Sequence, residues 1–343
     1  MEIAIVGLPQ SGKSTLFKIM TGVDSGSQLS EVAVRGVAKI PDVRFLKLVE
    51  IFKPAKVTPA SVPFVDINAR GEGAWSVIRQ RIGSADAILH VIDAFTDSDT
   101  VKLTDKYQKL SVEMAIADLI MVEARLEKLM KIPAATLKPE EKIHRELLPK
   151  VKDMLESGGG VRDVDMSDFE RDSLKSFSFL TIKPEMVVVN VAEGVSGVAA
   201  QFVSKSPVGR NAIEICCNIE SEIAELEQAE REEFMKSLGI DEPAFARIIR
   251  EAFLMLGRIY YFTVGEDEVR AWVIRKGSTA PQAAAAIHKD FERGFIRAEV
   301  VAYHDFINTG CDLHKAKAAG KQRLEGKEYI VADGDIVNFR FNV

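Results

Sequence analysis

Three cysteines in 343 residues are too few for a disulfide framework. Cys216 and Cys217 are adjacent, Cys311 stands alone, and none has the spacing of a metal cage. Neighbouring cysteines rarely bridge each other, so the thiols read as those of a chain in a reducing cytoplasm. An excess of basic residues is also missing. Lysine and arginine total 45 against 51 acidic residues, a formal charge of −6, which excludes a global attraction to nucleic acid or to an anionic membrane. No apolar run approaches bilayer-spanning length, and residues 3–6 are too short for the core of a signal peptide. Repeats and low-complexity tracts are lacking apart from Gly158-Gly159-Gly160. What remains is an ordinary globular composition, 47% hydrophobic and 28% charged, with apolar material for more than one core.

Short apolar runs at 2–6, 32–40, 61–65, 87–91 and 185–189 predict strands, and helices are predicted at 13–21 and around 45–51. Such alternation points to a mostly parallel α/β sheet. The gap before residue 185 has a different texture. Ala115, Leu119, Val122, Leu126 and Leu129 recur at spacings of 4 and 3, a heptad seam. Leu148, Val151 and Leu155 continue it after a connection from Pro133 to Pro139, and the glycine run ends it. This predicts an antiparallel coiled-coil hairpin inserted into the α/β domain. Pro149 should kink the second helix or mark its first turn. Ser167 with Glu170 predicts a capping box. Beyond Glu193 we expect a strand at 212–216 and helices at 220–237 and 243–256. From about Gly265 a mixed β/α module is expected, with strands at 269–274, 296–303 and 335–341 and an alanine-rich helix at 281–291.

Chemistry concentrates near the N-terminus. Gly7-Leu8-Pro9-Gln10-Ser11-Gly12-Lys13-Ser14 matches the phosphate-binding pattern G-x-x-x-x-G-K-[ST], with an apolar strand before it and a helix after it. The bland alternative is a tight glycine turn without a ligand. In the functional reading, Pro9, Gln10, Ser11, Gly12, Lys13, Ser14 and Thr15 form the phosphate cradle. Lys13 is the catalytic cation on the β- and γ-phosphates, and the Ser14 hydroxyl ligates Mg²⁺. Asp66, at the end of the strand holding Val62 to Val65, is the second metal-site residue; alone it would read as a turn or helix cap. Asn190-Val191-Ala192-Glu193 follows another strand, where a P-loop protein reads the base. Guanine-specific chains place N-K-x-D there. The longer carboxylate of Glu193 does not suit guanine, whereas an Asn amide pairs with adenine N6 and N7. This favours ATP, with GTP as the alternative.

Together these stretches resemble the YchF/Obg-like ATPase family of P-loop NTPases, over essentially the whole chain. The resemblance rests on the P-loop, Pro41-Asp42-Val43-Arg44, Phe64-Val65-Asp66-Ile67 and the 190–193 tetrad. C-terminally it rests on Val269-Arg270-Ala271-Trp272, Arg275-Lys276-Gly277, Ala280-Pro281-Gln282-Ala283-Ala284, Gly294 to Val300, and Asp333-Gly334-Asp335 with the tail to Val343. It implies a Ras-like nucleotide-binding domain at 1–95 and 180–262, an inserted helical coiled coil at 96–179, and a ubiquitin-like β-grasp (TGS) domain at 263–343. It further implies ATP preference, slow hydrolysis, Mg²⁺, a cytoplasmic location without membrane attachment, and a ribosomal or other protein or RNA partner engaged through the coiled coil and TGS domain. Monomer and dimer both stay open.

The chain departs from the family in its switches. The family's first switch carries a threonine; here the span 22–35 is shorter and contains none, leaving Ser25, Ser27 or Ser30 as substitutes. The second should read D-I-A-G-L-V-K-G and instead reads Asp66-Ile67-Asn68-Ala69-Arg70-Gly71-Glu72-Gly73. Gln10 replaces the family's P-loop Asn. Arg70 reads as a solvated loop residue before an arginine finger, and His90 as a core histidine before a base. Cys216 and Cys217 close a strand where the adenine site should be lined. Lys289, Phe291, Arg293, Phe295 and Arg297 are interleaved with acids, so an ordinary amphipathic surface competes with an RNA patch. The glutamates from Glu220 to Glu233 read as a solvated helix face. Three functions therefore compete: a slow ATPase switch, an ATP-binding interaction module without turnover, and a GTPase.

Overall fold

The computed structural model describes residues 1–25, 33–68, 74–205 and 211–342, and every side chain within them except those at 228 and 229. Two compact units divide the chain, Met1–Val37 with Pro63–Ile248 and Ala38–Val62 with Ile249–Val343. The elements begin with β1 (Ile3–Val6), α1 (Lys13–Thr21), β2 (Ala33–Lys39), α2 (Val43–Phe52), β3 (Lys56–Thr58), β4 (Ser61–Ile67), α3 (Ala74–Ser84) and β5 (Ala87–Asp93). Next come α4 (Thr100–Met130), α5 (Pro139–Glu156), α6 (Asp168–Ser173), β6 (Glu185–Asn190), α7 (Val198–Lys205) and β7 (Ala212–Ile215). There follow α8 (Cys217–Glu225), α9 (Gln228–Ser237), α10 (Ala244–Met255), β8 (Arg258–Thr263), β9 (Glu268–Arg275), α11 (Ala280–Ala285) and α12 (Lys289–Arg293). The chain ends with β10 (Phe295–Val301), α13 (Tyr303–Asn308), α14 (Leu313–Ala318), β11 (Arg323–Glu325) and β12 (Ile336–Phe341).

The first sheet runs β2-β4-β1-β5-β6-β7. Parallel pairings join β1 to β4 and β5, β5 to β6, and β6 to β7. β1 is buried at every position and β5 at all but its last, the continuous apolar reading of strands covered on both faces. At the edge, β2 alternates between buried and exposed residues instead. The sheet is thus the α/β sheet expected from sequence.

One helix serves two cores. In the first half of α4, Leu103 and Tyr107 pack with Ile92, Val187 and Phe202, while Leu110 and Met114 pack with Ala4, Val65 and Ile88. In its second half, Ala115, Val122 and Leu129 pack instead with Leu147, Leu148, Val151 and Leu155 of α5. Leu119 and Leu126, also predicted for the seam, are partly buried against the same cluster. Ion pairs from Glu123 to Lys152 and from Arg125 to Glu141 join the two helices of the antiparallel hairpin. Where the two cores meet, fully buried Asp118 accepts from the Leu180 and Thr181 amides and the Thr181 hydroxyl, at 2.9, 2.8 and 2.7 Å. This fastens the returning chain to α4. Pro139, not Pro149, fills the first turn of α5; Pro149 lies in the interior of that helix, where it has no N–H to contribute. The Ser167–Glu170 capping box is formed as expected.

Several local expectations need correcting. The stretch 220–237 is two helices, because the Arg231 guanidinium takes the carbonyls of Ile223 and Leu226, each at 2.9 Å, and closes α8. Glu220 is not solvated. It is 4% exposed and accepts from the Ala244 and Phe245 amides, capping α10. The stretch 281–291 is likewise two helices, α11 and α12, with the His288 side chain capping the second through the Asp290 amide.

In the second unit the sheet order is β11-β10-β12-β8-β9-β3. An antiparallel β8–β9 pair, β12 parallel to β8, and β10 antiparallel to β12 and β11 give the β-grasp arrangement. Neither β3 nor β8 was anticipated from sequence. β3 adds to the sheet edge in parallel with β9. Tyr261, Ala283, Ala284, Phe295, Val300 and Phe339 belong to its core. Among the described residues, no helix is long and apolar enough to cross a membrane.

The same unit brings two motifs together across the sequence. Asp42 caps α2 and holds the Arg44 guanidinium at 2.8 Å, Arg44 also reaches Asp333 at 2.8 Å, and the Tyr260 hydroxyl donates to Asp42. Burial alone would raise the Asp42 carboxyl, but bonds from Arg44 and Tyr260 hold it below its ordinary value. Such a depressed carboxylate adds stability above its unfolded pKa and loses it as pH falls through the folded one. Arg44→Met should therefore cost about 1–2 kcal/mol at neutral pH in urea unfolding. The cost should shrink steadily as the pH is lowered past 4 and Asp42 takes up its proton. A cost independent of pH would show that packing, rather than this pair, is what Arg44 provides.

Candidate functional site

After β1 the chain must turn sharply to start α1, and glycines at two positions permit it. A Cβ at Gly7 would lie 2.4 Å from the Val91 carbonyl oxygen. Gly12 has φ +92°, and a Cβ there would lie 2.3 Å from Asn190 Nδ2. The loop is thereby drawn down onto the sheet. Gly12 is also the N-cap of α1 and offers no side-chain cap, and no acid stands in the first turn. The leading amides of a nine-residue helix, with the positive end of its dipole, therefore face outward without a side-chain acceptor.

These amides open onto a cavity of about 450 Å³. Gln10, Gly12, Lys13, Ser14 and Thr15 line it together with Asn190, Val191, Ala192, Glu193, Cys217 and Asn218, with Asn68 and Phe95 also contributing. The predicted phosphate and base residues thus meet in one place. Three do not line the cavity. Pro9 is exposed on the loop, and Ser11 is 1% exposed with its hydroxyl unpartnered. Cys216 packs against the Ile92–Phe202 cluster. Cys217 does line it, but burial pushes its thiol up to about 12, so it is a packing residue rather than a thiolate.

Asn190 is held at both ends of its amide. Nδ2 donates to the Ser11 carbonyl at 3.2 Å, and Oδ1 accepts from the Cys217 amide at 3.2 Å. The side chain, 4% exposed, ties the phosphate loop to the first turn of α8. Sequence had cast it only as a base reader. Of the lining residues that sequence reasoning missed, Phe95 carried a readable signal. Asp93 ends β5 and accepts from the Phe95 and Thr96 amides, an Asx turn that leaves the Phe95 ring 42% exposed at the cavity. His90 is in the core, 1% exposed, with Nδ1 3.1 Å from Glu185 Oε1.

The residues at the phosphate end suit Mg²⁺. Asp66 is fully buried, with Oδ2 accepting from Ser25 and Asn68, each at 2.7 Å, while Oδ1 has no hydrogen-bond partner among the described residues. Ser14 Oγ donates to Asn68 Oδ1 at 3.1 Å. Hard oxygens of this kind are what the ion prefers. No group of three histidine, cysteine or acidic side chains poised for a metal occurs among the described residues. Ser27, Ser30, Ala69 and Arg70, named above for the switches, lie outside the described residues.

A strand, glycine loop and helix delivering lysine and serine to such a cavity, in this sheet order, define a P-loop NTPase. Comparison with known proteins agrees. Residues 2–125 match a family model described as 50S ribosome-binding GTPase, and residues 258–342 match YchF-GTPase_C, described as a protein of unknown function. The chain is 41% identical to the ribosome-binding ATPase YchF of Haemophilus influenzae, covering 100% of this chain and 99% of that one. It is 40% identical to the YchF of Bacillus subtilis, covering 100% of each, and 34% identical to Obg-like ATPase 1 of Rattus norvegicus, covering 100% and 92%. The solved structure of the Schizosaccharomyces pombe YchF GTPase superposes with a TM-score of 0.84 at 29% identity, over 99% of this chain and 97% of that one. The chain belongs to the YchF family.

Because Asn190 braces the loop, its removal should weaken all triphosphates alike. Asn190→Ala is expected to raise the dissociation constants of ATP and GTP by about tenfold each, roughly 1.4 kcal/mol, in calorimetric titrations. A loss confined to ATP would instead mark Asn190 as a reader of the base.

Proposed function

We propose that this chain binds ATP with Mg²⁺ in the cavity between the P-loop and the 190–193 tetrad, hydrolyses it slowly, and uses the nucleotide state to govern association with the ribosome. The observation that carries this is the shared cavity: Lys13 and Ser14, at the α1 N-terminus, line it together with Val191 and Glu193. Triphosphate oxygens would meet the loop amides and Lys13. The base would lie toward Phe95, whose exposed ring offers a stacking face.

Glu193 supports adenine over guanine, since its carboxylate extends one methylene further than the aspartate of N-K-x-D. The relatives named as ATPases support the same choice, although the yeast structure and one family model carry the word GTPase. Ser14, with Asp66 behind it, would hold Mg²⁺, whose role is to neutralise charge on the β- and γ-phosphates. Hydrolysis would be attack of water on the γ-phosphate, with the chain supplying electrostatic stabilisation from Lys13 and the loop amides. Low turnover follows from the missing switch threonine and from Ala69 and Arg70 in the second switch.

The ribosome enters through the printed names of the relatives. Here α4 gives it a physical basis, because a rod packed on the nucleotide-binding sheet at one end forms the helical hairpin at the other. We propose a cytoplasmic protein whose hairpin and β-grasp domain meet the partner.

Lys13→Ala should weaken ATP binding by about 100-fold, some 2.7 kcal/mol, in calorimetry. Single-turnover phosphate release by the wild-type chain should exceed the buffer rate and disappear in that variant. Unchanged affinity would remove the site assignment; release equal to buffer would leave a binding module without turnover.

A further inference from the structure

Asn68 is the residue at which this chain's second switch first departs from D-I-A-G, and it stands at the metal end of the cavity. Its carboxamide spans two groups. Nδ2 donates to Asp66 Oδ2 at 2.7 Å, and Oδ1 accepts from Ser14 Oγ at 3.1 Å. A carboxylate only accepts, so the nitrogen must face Asp66 and the oxygen must face Ser14. Ser25 Oγ donates to the same Asp66 oxygen at 2.7 Å, so among the described residues that oxygen has two donors while Oδ1 has none.

We propose that Asn68 Oδ1 is a direct ligand of the divalent cation that accompanies the nucleotide, adjacent to Ser14 Oγ, and that Asp66 aims the amide. This rests on the nucleotide reading above. Magnesium holds its oxygens at about 2.1 Å in an octahedron, which places neighbouring ligands about 3.0 Å apart. The Ser14–Asn68 separation of 3.1 Å fits that edge with both oxygens already in place. Only the serine proton has to rotate away. Neutral amide oxygens are ordinary ligands for hard cations. The amide also answers a deficit in the sequence, because residues 22–35 contain no threonine to supply a further hydroxyl, and the Ser25 hydroxyl is donated to Asp66. With Oδ2 occupied, Asp66 Oδ1 remains to accept from a water on the cation, an orienting role behind the direct ligands.

The test is Mn²⁺ binding to the full chain carrying a non-hydrolysable ATP analogue, followed by electron paramagnetic resonance. Asn68→Ala should weaken Mn²⁺ by about tenfold and admit an additional water to the Mn²⁺ shell, seen as line broadening in ¹⁷O-enriched water. Asn68→Asp keeps an oxygen at the position and should retain the wild-type water count. The analogue's affinity in EDTA should be the same in the wild type and in Asn68→Ala, which shows that the loop is intact. Unchanged or tighter Mn²⁺ binding in Asn68→Ala, with an unchanged water count, would overturn the proposal and make the amide a bolt that the cation displaces. Failure of the wild-type chain to bind the analogue whether or not the cation is present would instead sink the nucleotide reading, and this proposal with it.

Discussion

The nucleotide site depends on the close approach of Asn190 to the phosphate loop. Gly12 carries no side chain, so the Asn190 amide can come near enough to bond the Ser11 carbonyl while it also takes the first amide of α8. Three segments far apart in sequence are thereby joined: the loop after β1, the end of β6, and the start of α8. The bond from Asn190 to Ser11 spans 179 residues, and the entire helical hairpin lies within that interval. A family pattern at 190–193 is therefore explained partly by architecture. The residue that opens the tetrad braces the phosphate loop as well as lining the cavity.

The hairpin does not hang from the sheet by a flexible tether. Helix α4 runs for 31 residues, changes cores midway, and carries Asp118 at the changeover. Burial pushes that carboxyl up, and bonds from Thr181 and Leu180 pull against it. A second buried carboxylate follows a few residues after Thr181. Glu185 receives Arg162, Tyr107 and His90, gathering β5, α4, β6 and the chain leaving the hairpin around one carboxylate. These contacts tie the interior strands β5 and β6 and helix α4 to the chain leaving the hairpin, a packed element of the kind that allosteric coupling requires.

Much of this was legible in the sequence because the requirements are local. The P-loop asks for fixed residues at fixed spacing, the heptad seam for a period, and Ser167 with Glu170 for an offset of three. Each was found where the spacing placed it. Residues whose roles arise from tertiary contacts were hidden. Glu220 reads as one more acid in an acidic helix until α10 arrives with two unsatisfied amides. β3 is a short strand that becomes one only by pairing with β9, more than two hundred positions later. Asn68 looked like a blemish in a switch motif, and its bonds to Ser14 and Asp66 show a built position instead. Pro41-Asp42-Val43-Arg44 and Asp333-Gly334-Asp335 were noted separately as motifs. Only the fold shows that Arg44 bonds Asp333.

We propose that a P-loop of the Ras-like kind serves adenine here, on the strength of Val191 and Glu193 where guanine-binding chains carry lysine and aspartate. Competition of ATP and GTP for one site, with Mg²⁺ present and a single fluorescent nucleotide as reporter, addresses it directly. ATP should displace the reporter at concentrations at least about tenfold lower than GTP does, a difference of roughly 1.4 kcal/mol. Equal displacement, or an order reversed in favour of GTP, would contradict it.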